Sequence, residues 1–423
     1  MGSSKPTIAF CGLGAMGGGM ATNLVKNGFR VIGFDVYTPL ADSLVARGGR
    51  AAQTPAEAAR EASFLVCMVA NAAQVISLLF EADKGAIHGL QRDATVMLCS
   101  TCPPYFLHDL RERLDKEGRS DVRLLDCPVS GGTIRAADGT LSIFSSGPAA
   151  DLENAKEVLE CMSGNLYRIE GGISNGTKVK TIHQLMATTN IIMASEAMGL
   201  AAVAGLNTET VFEHVKSNDG TSFMFENRVP HMLKNDWHPY SALAIILKDA
   251  GIVTDTGRKN GFPMPLANTA EQLYISGVAR GWLRDDDACM VQLFLSSSSS
   301  DLVSSKAKAD VKVASNFQVS PDTVNDLLAG VHLVASIEAM AFAKHLGMDT
   351  RLMYEIISKA AGWCKIFDDA VPPMLEADQW TLGKCSIAEK VRERLTKAVE
   401  RATVLEYPCP MAVAALQQFH FPA

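Results

Sequence analysis

Along the chain the spacing of apolar positions changes once. Up to about residue 173, short apolar runs of strand length alternate with amphipathic stretches. The segment TIAFCGLGAMGGGMATNLVKNGFRVIGFD, 7–35, reads as a strand, a glycine turn, an amphipathic helix and a second strand. SFLVCMVAN, TVMLCSTCPP and VRLLDCPVSGG supply three more strand-like runs. From about residue 174 helical periodicity takes over. TIHQLMATTNIIMASEAMGLAAVAGL, 181–206, is apolar nearly all round, as a buried central helix is, and Gly205 suits its stop. Shorter helices follow through Tyr274 and beyond. LSSSSSDLVSSKAKADVK, 295–312, is polar and serine-rich and reads as a linker.

Beyond that linker the helical pattern repeats. SEAMGLAAVAGLN aligns with IEAMAFAKHLGMD, and FENRVPHMLKNDW with FDDAVPPMLEADQW, both at an offset of 142 residues. FPMPLANTAEQLY aligns with YPCPMAVAALQQF at an offset of 145. Two copies do not make a solenoid, so the pattern predicts a duplicated domain. The expected architecture is an α/β domain over 1–173, followed by two all-α domains related by duplication, over 174–300 and 313–423. The copies keep their apolar spacing and differ in a few polar groups. Lys180 becomes Asp322, His183 becomes Asn325, Gln184 becomes Asp326 and Lys248 becomes Glu393. A fold that survives these exchanges does not need the first set, so chemistry is the better explanation for it.

The glycine turn has the spacing G-x-G-x-x-G at Gly12, Gly14 and Gly17, with Leu13, Ala15 and Met16 between them. Glycine lets the chain turn sharply, lets the backbone approach a pyrophosphate, and lets the helix pack on the strand. The helix N-terminus then offers unpaired N–H groups to the phosphates. Asp35 ends the second strand, 18 residues after Gly17. A carboxylate there accepts both ribose hydroxyls of NAD and repels the 2′-phosphate of NADP, and DVYTP has no basic residue to offset it. A Rossmann domain binding NAD in preference to NADP is expected. Its ligands lie beyond the carboxyl ends of the strands, which places Val69 to Asn71, Ser100, Thr101 and Ser130, Gly131 and Gly132 along the crevice. The SGG stretch suits a carboxylate, and equally suits a plain turn.

Oxidising an alcohol with NAD requires a base for the hydroxyl proton, and the reverse reaction requires an acid. A lysine whose pKa is lowered by burial serves as both. Lys180 stands on the apolar helix with His183 and Gln184 at i+3 and i+4 on its face, positions suited to the hydroxyls of a substrate. Lys178 projects about 200° away around the helix and reads as an exposed surface charge.

Bulk properties narrow the partners. The chain has 423 residues, 48% hydrophobic and 20% charged, a size and balance expected of two or three globular domains. A net charge of −7, with no basic run, argues against nucleic acid. No uninterrupted apolar stretch reaches the roughly 18 residues of a membrane span. The strand-like run begins at once after MGSSKP, with no room for a signal peptide, and ten scattered cysteines suggest reduced thiols. A cytoplasmic location is expected. The CSTC spacing at Cys99 to Cys102 ends a strand and is read as neither a redox nor a metal site.

Four motifs in order, GLGAMG, DCPVSGG, the Lys180 helix and LKDAGIV at 247–253, resemble the β-hydroxyacid dehydrogenases, which include 3-hydroxyisobutyrate and 6-phosphogluconate dehydrogenases. The resemblance covers 7 to about 295. It implies Lys180 as catalytic acid/base and Ser130, Gly131 and Gly132 as a carboxylate cradle. It implies cofactor contacts from the Gly12–Gly17 turn, Asp35, Thr101 and Lys248, with Gln74 near the nicotinamide. Within the family, KVKTIHQLM and SFMFENRVPHML are most similar to the L-threonate branch, whereas other branches carry Asn–Asn in place of His183 and Gln184. Two features depart from the pattern: VAN at 69–71 lacks the usual proline, and the second helical copy is additional. In the family a neighbouring subunit's helical domain closes the cleft. Residues 313–423 are expected to imitate that neighbour, which leaves a pseudo-dimeric monomer or a homodimer. The expected activity is NAD-dependent oxidation of a small polyhydroxy acid such as L-threonate to its oxo acid. The alternatives are 3-hydroxyisobutyrate or another β-hydroxyacid as substrate, or a non-catalytic NAD-binding sensor or scaffold.

Overall fold

The computed structural model of the protein describes residues 5–295 and 318–420. Apart from Leu295, the expected linker at 295–312 lies outside the described residues. The chain divides into two compact units, 1–180 and 181–423.

The first unit alternates β1 (Thr7–Cys11), α1 (Gly17–Lys26), β2 (Arg30–Phe34), α2 (Thr38–Val45), β3 (Arg50–Ala51), α3 (Pro55–Ala59), β4 (Phe64–Cys67), α4 (Ala72–Phe80), β5 (Thr95–Leu98), α5 (Pro104–Lys116) and β6 (Arg123–Asp126). β7 (Val129–Ser130), α6 (Gly132–Asp138), β8 (Leu141–Ser146), α7 (Ala149–Glu160) and β9 (Ser163–Ile169) complete it. The strand order is β3-β2-β1-β4-β5-β6-β8-β7, with β9 beside β8. β1 to β6 run parallel to one another, whereas β8 runs antiparallel to β6 and β7. The central strands are apolar on both faces because helices cover both. β1 sends Ile8 and Phe10 into one core and Ala9 and Cys11 into the other, and β4 divides Phe64 and Val66 from Leu65 and Cys67 in the same way. This is the Rossmann architecture the sequence predicts.

The helical elements are α8 (Asn175–Val203), α9 (Thr208–Lys216), α10 (Phe223–Lys234), α11 (Leu243–Lys259), α12 (Pro265–Ala279), α13 (Pro321–His345), α14 (Thr350–Ile357), α15 (Lys365–Ala370), α16 (Ala388–Val404) and α17 (Pro410–Gln418). By composition alone α8 and α13 are apolar enough to cross a membrane, but 94% and 89% of their apolar windows are buried inside the protein, so they serve as core helices. Both are apolar nearly all round and must be covered on every side. The two helical segments expected as separate domains accordingly fall within one compact unit.

Helix starts in this unit recur at the sequence offsets: α9 with α14, α10 with α15, α11 with α16, and α12 with α17. Contacts between the segments recur too. Phe223 N–H donates to Trp363 O at 3.0 Å, and Lys365 N–H donates to Thr221 O at 2.9 Å. The Glu196 carboxylate accepts Met411 and Ala412 N–H at 2.8 and 3.0 Å, capping α17. The Glu338 carboxylate accepts Leu266 and Ala267 N–H at 3.2 and 3.3 Å, capping α12. In each pair a group of one segment meets its counterpart's neighbour in the other, the self-complementary pattern of a two-fold interface.

Candidate active site

At the carboxyl end of β1 the chain turns through Gly12, where φ is +94° and a Cβ would lie 2.2 Å from Met68 O. A Cβ on Gly17 would lie 1.9 Å from Gly12 O, so that glycine lets α1 close on the strand. Gly14 differs, because a Cβ there meets nothing within 4 Å. Its small size leaves space above the turn. No side chain caps α1, and its first turn holds no acid, so its N-terminal dipole is free of local compensation. Leu13 is buried in the core and offers the site only its backbone. Its N–H donates to Asp35 Oδ2 at 2.7 Å, and Tyr37 N–H donates to Asp35 Oδ1 at 2.9 Å. These bonds hold the half-buried carboxylate at the end of β2. An open glycine, an uncapped helix and an oriented acid fit a dinucleotide.

The neighbouring loops are fixed by short hydrogen bonds. Ser100 Oγ accepts Val69 N–H at 2.8 Å, tying the loop after β4 to that after β5, where Thr101 lies half-buried. Asn71 caps α4 by accepting Gln74 N–H at 2.9 Å, and Gln74 Oε1 accepts Ala70 N–H at 2.9 Å in return. Gln74, expected near the nicotinamide, therefore spends its carbonyl oxygen on the cap. Ser130 is buried, and Gly131 and Gly132 have φ of 139° and 73°. A Cβ on Gly132 meets nothing within 4 Å, again leaving open space.

Asp126, at the end of β6, is an anchoring residue the sequence reading did not single out. It is fully buried and accepts Thr177 Oγ1–H at 2.6 Å, Thr177 N–H at 2.7 Å and Ser146 Oγ–H at 3.2 Å. Burial pushes its carboxyl up to about 6 against these bonds. Gly176 N–H donates to Ser146 Oγ at 2.8 Å, and a Cβ on Gly176 would lie 2.1 Å from Phe144 O. The first turn of α8 is thereby pinned to β6 and β8, and Lys180 is placed one turn further on. Lys180 is 6% exposed. Lys178, read from the sequence as an exposed charge, is instead half-buried, and desolvation lowers its pKa.

Within the helical unit, His183 is fully enclosed. Its Nε2 accepts Gly362 N–H at 3.1 Å, and its Nδ1 lies 3.0 Å from Gln184 Oε1. The ring expected on a substrate hydroxyl is thus committed to protein partners, because the second segment covers that side of the helix. Gln184 Nε2 donates to Asp249 Oδ2, and Lys248 Nζ stands 3.1 Å from Asp249 Oδ1. Asp249 is the second residue missed, although its counterpart Arg394 marks another polar exchange between the segments. Cys99 and Cys102 are fully buried, and burial pushes the Cys99 thiol up to about 12.

Residues 7–171 match the family model described as the NAD binding domain of 6-phosphogluconate dehydrogenase. Residues 174–294 and 322–421 match the one described as NAD-binding of NADP-dependent 3-hydroxyisobutyrate dehydrogenase. The chain belongs to the β-hydroxyacid dehydrogenase family. L-threonate dehydrogenase of Cupriavidus necator is 38% identical over 287 residues, 68% of this chain and 95% of that protein. NAD-dependent L-serine dehydrogenase of Pseudomonas aeruginosa is 30% identical over 68% of this chain and 97% of its own. The crystal structure of a 3-hydroxyisobutyrate dehydrogenase from Salmonella typhimurium aligns with a TM-score of 0.64 at 36% identity, covering 69% of this chain and 100% of that one. About two thirds of this dehydrogenase therefore accounts for nearly all of each relative. It is an NAD-dependent oxidoreductase acting on the CH–OH group of a hydroxy acid.

Proposed function

We propose that this dehydrogenase oxidises a small polyhydroxy acid of the L-threonate type at C2 to its 2-oxo acid, with Lys180 as general acid/base. Lys180 carries the reading. Its side chain is withdrawn from water on a helix anchored by Asp126, whereas the counterpart Asp322 has a side chain 78% exposed and paired with His214 at 2.8 Å. The amine is a basic group on this helix face that can take a proton from an alcohol and return it. The Gly12–Gly17 turn and the α1 N-terminus hold the pyrophosphate, and Asp35 takes the ribose hydroxyls. Val69, Thr101, Gln74 and Lys248 border the cofactor. When bound, NAD supplies the hydride acceptor. Ser130, Gly131 and Gly132 hold the substrate carboxylate, and Gln184 the adjacent hydroxyl. The C2 hydroxyl proton passes to Lys180 Nζ as the carbonyl forms, and in reduction Lys180 returns it. Proton transfer of this kind contributes about 10²- to 10⁴-fold in rate.

Residues 313–423 belong to the same reading as a degenerate duplicate that stands in for a partner's helical domain. The reciprocal bonds of Glu196 with α17 and Glu338 with α12 support this. Light scattering tests it: the mass of one 45.3 kDa chain is expected, and a stable dimer closed through this face contradicts it. The activity is tested by screening four-carbon polyhydroxy acids and 3-hydroxyisobutyrate for NADH formation, with NADP in parallel. L-Threonate with NAD is expected to give the highest kcat/KM. Preference for 3-hydroxyisobutyrate overturns the substrate assignment.

A further inference from the structure

His183 and Asn325 occupy equivalent positions and perform one shared task. Gly220 N–H donates to Asn325 Oδ1 at 2.8 Å, and Gly362 N–H donates to His183 Nε2 at 3.1 Å. An asparagine suffices to accept a backbone N–H from the opposite segment, so that task does not explain a histidine. The imidazole adds a set of fixed proton positions. A backbone amide can only donate, so Nε2 is the accepting nitrogen and the neutral ring carries its proton on Nδ1. That N–H donates to Gln184 Oε1, 3.0 Å away. With its oxygen so engaged, Gln184 turns its NH2 to Asp249 Oδ2, and Asp249 Oδ1 faces Lys248 Nζ. From Gly362 to Asp249 the three hydrogen bonds run in one direction.

The second segment carries a different series, closed by an ion pair: Arg394 joins the Asp219 and Asp326 carboxylates. Asn325 Nδ2 donates to Asp219 Oδ1 at 2.7 Å. Asp326 stands where Gln184 does, and it is paired at 2.7 Å with Arg394, the counterpart of Asp249. The directed series belongs to the segment that carries Lys180 and Lys248.

We propose that His183 is a positioning residue: it carries the orientation set by Gly362 of the second helical segment into the Gln184 amide and the Asp249–Lys248 pair. The inference rests on the reading that Gln184 and Lys248 serve substrate and cofactor. It gives the second segment a function beyond packing, because its backbone fixes which way a substrate-contacting amide faces. His183 itself does not touch the substrate.

The test uses His183→Asn, the residue the second segment itself employs, together with Gly362→Ala. A Cβ on Gly362 would lie 3.1 Å from both His183 O and Met186 Cβ, tight enough to displace the N–H from Nε2 without removing it. Thermal unfolding, NAD affinity, kcat and KM for the hydroxy acid are measured for each variant and for the double variant. Each single variant is expected to keep its unfolding midpoint within a few degrees and to weaken NAD binding, through Lys248, by less than it weakens substrate binding. Each is expected to raise KM about tenfold with kcat nearly unchanged, the cost of one misdirected hydrogen bond. The double variant is expected to match the singles, since both interrupt one series. If Gly362→Ala leaves KM unchanged while His183→Asn raises it, the ring contacts substrate directly and the proposal fails. Additive effects, or two variants with parental KM, overturn it as well. Failure of Lys180→Ala to impair turnover would instead remove the catalytic reading beneath it, so the two failures are distinguishable.

Discussion

The reciprocal caps make a quantitative prediction about stability and pH. Glu338 is buried, and its carboxylate accepts two N–H groups at the start of α12, but burial outweighs those bonds and raises its pKa from 4.5 to about 7. Glu196 is raised likewise, from 4.5 to about 8. A carboxyl that holds its proton longer folded than unfolded adds stability that is fully present below pH 4.5 and is lost as pH rises through the folded value. Between pH 5.5 and 6.5 each group is ionised when unfolded and mainly protonated when folded, so each removes about 1.2 kcal/mol over that interval, or about 2.5 kcal/mol together. Glu338→Gln does not titrate. It should therefore lose about 1.2 kcal/mol of the parent's decline over that interval, whatever its absolute stability. Urea unfolding followed by circular dichroism at the two pH values measures this, because any constant penalty from the amide cancels in the difference. A Glu338→Gln protein with the parent's full decline would mean that Glu338 is already ionised at pH 5.5 in the folded chain, and the reasoning from burial would be wrong.

Three further variants test the site. Asp126→Ala removes the acceptor shared by Thr177 and Ser146 and should cost about 2–4 kcal/mol in unfolding free energy, read by denaturant titration. The same variant should lower kcat, because α8 loses its anchor one turn before Lys180. Gly14→Ala should fold normally and lose NAD affinity by at least about tenfold, measured by fluorescence titration, because its Cβ enters space left for the pyrophosphate. Gly17→Ala should fail at folding instead, its Cβ falling 1.9 Å from Gly12 O, which thermal unfolding would register directly.

The sequence made much of the first unit legible because β1, β4, β5 and β6 are buried on both faces and therefore read as short apolar runs. β8 and β9 escaped notice for the opposite reason. LSIFSS carries three serines, and these are buried only because their partners are built into the fold, Ser145 Oγ donating to Tyr167 O at 3.0 Å and Ser146 Oγ–H to Asp126. Asp126 itself looked like one polar letter closing a strand. Its bonds to Thr177, 51 residues away, depend on where α8 begins. Helical periodicity correctly put His183 and Gln184 on the face of Lys180, but periodicity cannot tell a cleft from a neighbouring segment. The partner of His183 is a backbone amide 179 residues further along. Asp249 was hidden for a similar reason, since the Gln184 amide its carboxylate accepts lies 65 residues away in the chain. The likeness between the two copies adds what motif and periodicity lack, because it separates polar groups that differ between the segments from apolar groups that both keep.

The proton-transfer role of Lys180 is tested most directly by Lys180→Ala, with NAD binding and NADH formation measured on the same preparation. NAD affinity is expected within twofold of the parent, and turnover of the hydroxy acid reduced by about 10²- to 10⁴-fold. Turnover within about threefold of the parent at equal NAD affinity would contradict that role.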